Sequence, residues 1–253
     1  MIDPIAFSNE VEKVVVAKED NIVKRKYYRF RGGRWYGGIA TADTVGCNLS
    51  CGFCWSWKAN TSIATCGEYY SPKEVAKRLV EIASNRNYGL IRISGGEPTI
   101  GFEHLLQVLD ILSNYKYNFI LETNGILIGY NKKYAEELSK YKFLHVRVSL
   151  KGTNEEEFSK LTNAEPSAFR LQINALKNLL EENVSCHAAA LLSFSSEEGK
   201  AKLIEELKKI DEKLADLEEE YVFLYPHVVE ILKKRNLFPR IAYDPNKIPS
   251  TLI

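Results

Sequence analysis

Three cysteines, Cys47, Cys51 and Cys54, form a CxxxCxxC pattern directly after a predicted strand. The chain has only five cysteines in 253 residues, so random placement would give such a triple on the order of 0.002 times per chain. Three thiolates on one tight loop can hold three irons of a cubane cluster and leave the fourth iron open to another ligand. The alternative is a closed zinc or electron-transfer site in which Cys66 supplies a fourth sulfur.

A second motif, Ile93-Ser94-Gly95-Gly96-Glu97-Pro98, ends the next predicted strand. Consecutive glycines let a backbone approach a ligand closely, and a nearby carboxylate can meet an ammonium group. Together with the cysteines, and with Phe53 just before the third of them, this motif resembles the signature of the radical S-adenosylmethionine (SAM) superfamily. In that family the glycine turn holds the methionyl amino group of SAM.

Two further motifs resemble the activating-enzyme branch of that superfamily, whose members install glycyl radicals. Glu122-Thr123-Asn124-Gly125 is similar to the DTNG motif of the branch, which helps to bind a cation beside the SAM carboxylate. Val148-Ser149-Leu150-Lys151 is similar to its DLK segment, whose lysine meets that carboxylate. Glu122 stands where the branch has Asp, so its reach toward the cation is one methylene longer. Ser149 also stands where the branch has Asp, and this loss of charge indicates a different substrate or a divergent subgroup.

The resemblance implies a [4Fe-4S] cluster and SAM as cofactors, with reduced ferredoxin or flavodoxin as the electron donor. Reductive cleavage of SAM then yields a 5′-deoxyadenosyl radical that takes hydrogen from a C–H bond. The protein would supply orientation and exclude water. The resemblance assigns the catalytic, metal-binding role to Cys47, Cys51 and Cys54, and cofactor binding to Phe53, Gly95, Gly96, Glu97, Glu122, Thr123, Asn124, Ser149 and Lys151.

The pattern of apolar residues predicts alternating strands and helices. The predicted strands are Tyr36–Gly46, Leu90–Ser94, Tyr117–Glu122, Phe143–Leu150, Val184–Leu192 and Tyr221–Tyr225. The helices between them are predicted near Pro72–Ser84, Phe102–Ser113, Lys132–Tyr141, Ser167–Glu181 and Glu197–Leu217, with Ser71 as an N-cap. Six β/α units in series predict an α/β fold, an open (β/α)6 partial TIM barrel with a parallel sheet. Ligands in such folds bind beyond the carboxyl ends of the strands.

Three regions are predicted: an N-terminal extension (1–35), the partial barrel (36–226) and a C-terminal tail (227–253). The segment Asn21–Trp35 has six basic residues and no acid, which predicts a hairpin with a basic face. That face would dock nucleic acid or an acidic partner; the alternative is a solvated edge hairpin. The charged stretch Glu197–Glu220 is predicted as a long helix on the solvated outside of the barrel.

The composition is that of an ordinary globular protein. Basic and acidic residues number 34 and 33, and 45% of the residues are hydrophobic. No apolar run approaches the ~18 residues of a membrane-spanning helix, and the first residues show no signal pattern, so we expect a cytoplasmic protein without a membrane partner. The four histidines offer no acid–base constellation, although His227 lies near a strand end. We expect His104, His145 and His187 to be structural.

An open barrel suits a large substrate that closes the site when it enters. The resemblance to activating enzymes favours a protein or peptide, whereas the basic segment favours RNA. The alternative from outside the enzymes is a non-catalytic four-cysteine module.

Overall fold

A computed structural model describes residues 1–249 of the chain. Its strands, in chain order, are β1 (Val16–Glu19), β2 (Ile22–Gly33), β3 (Ile39–Thr44), β4 (Glu68–Tyr70), β5 (Leu90–Gly95), β6 (Asn118–Thr123), β7 (Leu144–Leu150), β8 (Ser185–Leu191), β9 (Glu218–Glu220), β10 (Val222–Phe223) and β11 (Ala242–Tyr243). Its α-helices are α1 (Pro4–Val15), α2 (Trp57–Thr61), α3 (Pro72–Asn85), α4 (Phe102–Leu112), α5 (Ile126–Tyr130), α6 (Lys133–Leu138), α7 (Glu155–Thr162), α8 (Ala168–Glu181), α9 (Glu197–Lys208) and α10 (Pro226–Lys234). Within residues 1–249, no helix is both long enough and apolar enough to cross a membrane.

One sheet of nine strands organises the molecule. Its order is β1-β2-β3-β5-β6-β7-β8-β9, and β4 pairs with β2. The strands β3, β5, β6, β7, β8 and β9 are parallel and follow one another in chain order, as helical crossovers require. The described strands do not close into a ring. The predicted open, six-unit partial barrel is confirmed.

Side chains along the parallel strands alternate between the core and the barrel interior, with the period of two expected for a strand. In β5, Ile91 and Ile93 are buried in the main core beneath the helices, whereas Arg92 and Ser94 line an internal cavity. In β7, Arg147 also lines that cavity. The interior of this barrel is therefore polar and charged, and its apolar core lies between the sheet and the helices.

The predicted helix α3 shows how local sequence sets its boundary. Ser71 accepts a hydrogen bond from Glu74 N, and the Glu74 carboxylate accepts one from Ser71 N at 2.8 Å. This reciprocal pair satisfies two backbone N–H groups that a helix start leaves open. Pro72 follows in the first helical position, where its missing N–H costs nothing.

The end of the predicted barrel is wrong in two respects. The charged helix ends at Lys208, and Glu218–Glu220 forms the sixth parallel strand, so this stretch enters the barrel instead of covering it. The predicted strand Tyr221–Tyr225 is not part of the sheet, because Val222–Phe223 pairs with β11 in a separate ribbon. A run of acids looks like a solvated helix because the sequence does not show that Arg147 bonds to two of those carboxylates.

The basic hairpin predicted within Asn21–Trp35 is also wrong. That segment is a single long strand, β2, and the hairpin pairs β2 with β1 across a turn at Asp20. The other edge of β2 pairs antiparallel with β3. The basic segment is thus a full member of the main sheet, and its side chains on one face look into the barrel.

Candidate active site

The cysteine loop leaves the sheet at the carboxyl end of β3 and is held by its backbone. Ser50 N donates to Thr162 O and Gly52 N donates to Leu161 O, which ties the loop to the end of α7. From beyond α10, Arg235 donates to the Ser50 hydroxyl at 2.8 Å. These bonds fix the loop that carries the three cysteines. All three cysteines line one pocket of about 140 Å³.

Burial raises the pKa of each of these three thiols, that of Cys51 to about 12. For Cys47 the next largest cause is the neighbouring Cys51, so the thiols lie close enough to oppose one another's ionisation. Cysteine binds metal as the thiolate, which requires a positive centre to offset this penalty. The donor set therefore suits a metal cluster, whose charge would stabilise three thiolates at once.

Cys66 does not line this pocket. It packs against a separate apolar cluster that includes Val11 and Val15 of α1. Among residues 1–249, no three His, Cys, Asp or Glu side chains converge tightly enough to hold a single metal ion. A cubane cluster spreads its thiolates over different irons, so an open arrangement of three cysteines fits a cluster better than a zinc ion.

The glycine turn after β5 packs its backbone directly against the cysteine loop. Gly95 has φ of +96°, and a Cβ on Gly96 would lie 2.2 Å from the Gly46 carbonyl oxygen. Only glycine fits a backbone approach this close. Gly96 N donates to Thr44 O at 2.9 Å and Glu97 N donates to Gly46 O at 2.8 Å, which fixes the turn beside the pocket.

Glu97 is 1% exposed, and its carboxylate holds two loops together. Oε1 accepts from Thr99 N at 3.0 Å, from Thr99 Oγ1 at 2.6 Å and from Thr123 Oγ1 at 2.7 Å, while Oε2 accepts from Asn124 N at 2.8 Å. The carboxylate thus joins the turn after β5 to the turn after β6. Four internal donors surround it, although Glu97 also lines the pocket.

Asn124 carries this network to the cysteine loop. Its Nδ2 donates to Asn48 Oδ1 at 2.7 Å and lies 3.8 Å from Cys47 Sγ. Thr123 Oγ1 accepts from Gly125 N at 3.0 Å, which shapes the turn. Thr123 and Asn124 are therefore fixed at the pocket wall by bonds to the cysteine loop and to their own turn.

Glu122 lies deeper, against two side chains of β5. Its Oε1 accepts from Arg92 Nη1 and its Oε2 from Ser94 Oγ, both at 2.5 Å. Burial alone would raise the pKa of Glu122, but the charges of Arg92 and Arg147 lower this pKa by more than burial raises it, so the net shift is downward. The carboxylate is ionised at neutral pH and already paired.

Ser149 and Lys151 meet an acid that the sequence analysis missed. Lys151 Nζ donates to Ser149 Oγ and, at 3.4 Å, to Glu220 Oε2, and Ser149 Oγ donates to the same oxygen at 2.6 Å. Burial would raise the pKa of Glu220, but Lys151 and Arg147 hold it well below its usual range. Ser149 itself carries no charge, and Glu220 of β9 supplies the carboxylate at this point.

Asn60 is a second residue that the sequence analysis missed. Its Nδ2 donates to Cys54 Sγ at 3.4 Å. Its Oδ1 is buried without a hydrogen-bond partner, the one such side-chain atom in residues 1–249, and lies 3.0 Å from where a Gly96 Cβ would be. A buried acceptor of this kind costs free energy unless a ligand satisfies it. The pocket therefore offers an acceptor for a ligand donor beside the glycine turn.

A second cavity of about 430 Å³ adjoins the first. The two share the seven lining residues Phe53, Trp55, Ser94, Glu122, Arg147, Lys151 and Glu220. On one wall, Arg29 and Arg31 both donate through Nε to the buried Asp43, at 2.7 and 2.8 Å. On the other wall are Glu218–Glu220 and the aromatic residues after them. This space is large enough for part of a substrate.

The histidines fall into three environments. His104 is buried and bonded to Val23 O and Tyr27 Oη, so it is structural as predicted. His145 and His187 stack at 4.9 Å, and His187 Nε2 lies 2.7 Å from Glu218; the two rings are outside the apolar core. His227 lies in the cavity wall, with Nε2 2.9 Å from Trp55 O.

Comparison with known proteins identifies one family. A family model described as the Radical SAM superfamily matches residues 42–207. A probable GTP 3′,8-cyclase of Methanosarcina acetivorans is 30% identical over 171 residues, which are 66% of this chain and 47% of the relative. A putative glycyl-radical enzyme activating enzyme of Methanocaldococcus jannaschii is 27% identical over 123 residues, 49% of this chain and 43% of the relative. The chain thus spans less than half the length of these relatives.

Solved structures show the same fold. SuiB of Streptococcus suis bound to S-adenosylmethionine has a TM-score of 0.60 at 22% identity, and covers 76% of this chain and 44% of its own. SuiB bound to its precursor peptide SuiA has a TM-score of 0.56 at 20% identity, and covers 81% of this chain and 48% of its own. At these identities the likeness establishes the architecture and nothing finer.

Proposed function

The chain belongs to the radical SAM superfamily, and on that premise we propose that it is an enzyme that abstracts hydrogen from a protein or peptide substrate. Its cofactors are a [4Fe-4S] cluster and SAM, as in the rest of the family. When bound, this pair supplies a 5′-deoxyadenosyl radical on one-electron reduction. The protein's own residues bind, orient and shield that chemistry.

The observation that carries the proposal is the convergence of the predicted residues. All twelve line the same pocket, at the carboxyl ends of parallel strands. Cys47, Cys51 and Cys54 would hold three irons. The backbone of Gly95 and Gly96, with the free oxygen of Asn60, would receive the amino group of SAM.

The remaining predicted residues complete the pocket. The ammonium of Lys151 would meet the SAM carboxylate, while Phe53 forms part of the wall between the pocket and the larger cavity. Glu97 would hold the turn in place instead of contacting SAM, because its carboxylate already accepts four hydrogen bonds. Glu122, Thr123, Asn124 and Ser149 would then shape the pocket from beneath.

A peptide substrate is supported by the position of the larger cavity. It lies where the sheet stays open, between β2 and the end of β9, so an inserted chain segment would close it. The activating-enzyme relative and the structure of SuiB with a precursor peptide are consistent with such a substrate. Most of the cavity wall lies outside residues 42–207.

The RNA alternative finds less support in the basic segment. Arg25 and Lys26 are buried and donate to carbonyl groups of Ile100 and Ile63, at 2.9 and 3.0 Å. Arg29 and Arg31 are bonded to Asp43. Phosphate binding needs cations that are free at the surface, and these four side chains have internal partners.

We also propose reduced ferredoxin or flavodoxin as the electron donor and the cytoplasm as the location. The five cysteines in the described residues are all free thiols, which suits a reducing compartment.

Anaerobic reconstitution with iron and sulfide, followed by reductant and SAM, tests the proposed function. We expect 5′-deoxyadenosine by chromatography, and none above background from a variant with Cys47, Cys51 and Cys54 all changed to Ala. Equal yields from both proteins would refute the enzymatic proposal. Repeating the reaction with deuterated cell fractions, separated into protein and RNA, identifies the substrate through transfer of the label to 5′-deoxyadenosine. Label from RNA and not from protein would replace the peptide proposal.

A further inference from the structure

Glu220 is the last residue of β9 and lies outside the part of the chain that matches the family. Its carboxylate nevertheless gathers the polar side chains at the end of β7. Oε2 accepts from Ser149 Oγ at 2.6 Å and from Lys151 Nζ at 3.4 Å, and Oε1 accepts from Arg147 Nη1 at 2.6 Å. One carboxylate thus sets the position of three neighbours.

The hydrogen-bond count of Lys151 shows what this arrangement achieves. An ammonium group has three N–H donors. Ser149 and Glu220 accept two of them, which leaves one for a ligand in the pocket that Lys151 lines. A lysine side chain is long and flexible, so without these two anchors it would lose rotamer freedom only when the ligand binds.

We infer that Glu220 is a positioning residue for SAM: it anchors Lys151 so that the remaining N–H is directed at the SAM carboxylate. This inference rests on the proposed function, because it takes Lys151 to contact SAM in this pocket. It assigns to β9 a part in cofactor binding, although its contact with the cofactor is only through Lys151.

The geometry also specifies a rescue. Ser149 Oγ already touches both Lys151 Nζ and Glu220 Oε2, so a carboxylate on residue 149 lies within reach of the same ammonium. Ser149→Asp combined with Glu220→Gln therefore moves the negative charge from β9 to β7 and keeps the net charge of the pocket. A purely structural role of Glu220 in holding β9 would not be restored in this way.

The matched control is Glu219→Gln on the same strand. The Glu219 carboxylate bonds to Lys200 and, at 2.6 Å, to Tyr221, and has no bond to Lys151. The Glu219→Gln substitution removes one negative charge from β9 at the position next to Glu220. It therefore measures any general effect of lost charge or of reduced strand stability on SAM binding.

The experiment measures the SAM affinity of the reconstituted, unreduced protein by anaerobic equilibrium dialysis, with iron content and Tm determined for every variant. We expect Glu220→Gln to bind SAM about tenfold more weakly, the effect of losing one charge-assisted hydrogen bond. Glu219→Gln should bind SAM as tightly as the wild type does. Adding Ser149→Asp to Glu220→Gln should recover most of the lost affinity. In a Lys151→Gln background, Glu220→Gln should cause no further loss, because the two residues act as one unit.

Unchanged affinity in Glu220→Gln, additive losses with Lys151→Gln, or failure of Ser149→Asp to restore binding would each overturn the inference. If Glu220→Gln also loses iron, the double variant Ser149→Asp/Glu220→Gln decides between the two causes. Recovery of both iron and SAM affinity in the double variant supports the inference, and recovery of iron without SAM affinity overturns it. The two proposals fail separately. A wild type that binds SAM but forms no 5′-deoxyadenosine refutes the proposed function, whereas the binding data on Glu220 still decide the inference.

Discussion

Glu97→Gln separates two roles for the glutamate of the glycine turn. If the carboxylate serves as a staple, that is, if its hydrogen bonds hold the two turns together, the substitution destabilises the protein. If the carboxylate instead contacts SAM, the substitution weakens SAM binding and leaves the fold intact. The bonds described above favour the staple. Gln has one acceptor oxygen in place of two, and the side chain is 1% exposed, so water cannot compensate.

The least costly orientation of the introduced glutamine keeps its oxygen toward the three donors at the former Oε1 position, two of which are hydroxyl groups that can rotate. Its NH2 group then faces Asn124 N–H, and both buried donors are left without an acceptor. At about 1–3 kcal/mol for each of the two unsatisfied groups, we expect a loss of about 2–6 kcal/mol in the free energy of unfolding. In a protein of this size, Tm falls by roughly 2–4 °C for each kcal/mol.

Urea denaturation of the reconstituted protein under anaerobic conditions measures this loss, provided the m-value is unchanged. The control is Glu103→Gln, whose exposed carboxylate pairs with Lys18 at 3.1 Å; we expect a change of less than about 1 kcal/mol. A Glu97→Gln protein as stable as the Glu103→Gln control would refute the staple, and reduced SAM affinity in that same protein would assign the carboxylate to the ligand.

Three further outcomes are expected. Cys51→Ala should lose most of the iron and the brown colour after reconstitution while Cys66→Ala keeps both, and loss of iron from Cys66→Ala as well would favour a closed four-cysteine site. Gly96→Ala should abolish SAM binding or misfold, because its Cβ would lie 2.2 Å from Gly46 O; wild-type affinity by dialysis would show that the turn can relax. Burial lowers the pKa of His104 from 6.5 to about 4, so the unfolded state takes up the proton first and stability is lost as the pH falls from 6.5 toward 4, by up to about 3 kcal/mol. Urea midpoints at pH 7 and 4.5 should therefore converge for His104→Gln, and an unchanged difference would contradict this.

The convergence of the twelve predicted residues on one pocket was predictable because these residues obey simple rules of parallel sheets. Each motif lies at the carboxyl end of a predicted strand, and strands in series place those ends side by side. The register shows the result, since Thr44 before the cysteine loop pairs with Gly95 of the glycine turn. Short-range pattern and chain order were sufficient to bring these residues together.

The residues that the sequence did not predict depend on long-range partners. Glu220 lies within an acidic run that favours a solvated helix, and only Arg147 and Lys151, some 70 residues earlier, explain why it is half-buried in the sheet. Asn60 follows no motif, and its importance rests on an atom without a partner. Asp43 was visible in the sequence as the single charged residue of a predicted strand, although its pairing with the basic strand was not predicted.

The two cavities are built from different parts of the chain, and this difference bears on how radical SAM enzymes diversify. The pocket that we propose for SAM is built almost wholly from the matched region, while the walls of the adjoining cavity come largely from residues 29–36 and 218–227. Replacing these two segments with those of a related protein should therefore change which substrates enter the larger cavity and leave the proposed SAM pocket intact. Glu220 marks the boundary of any such graft, because it belongs to both spaces and must be carried over or replaced in kind.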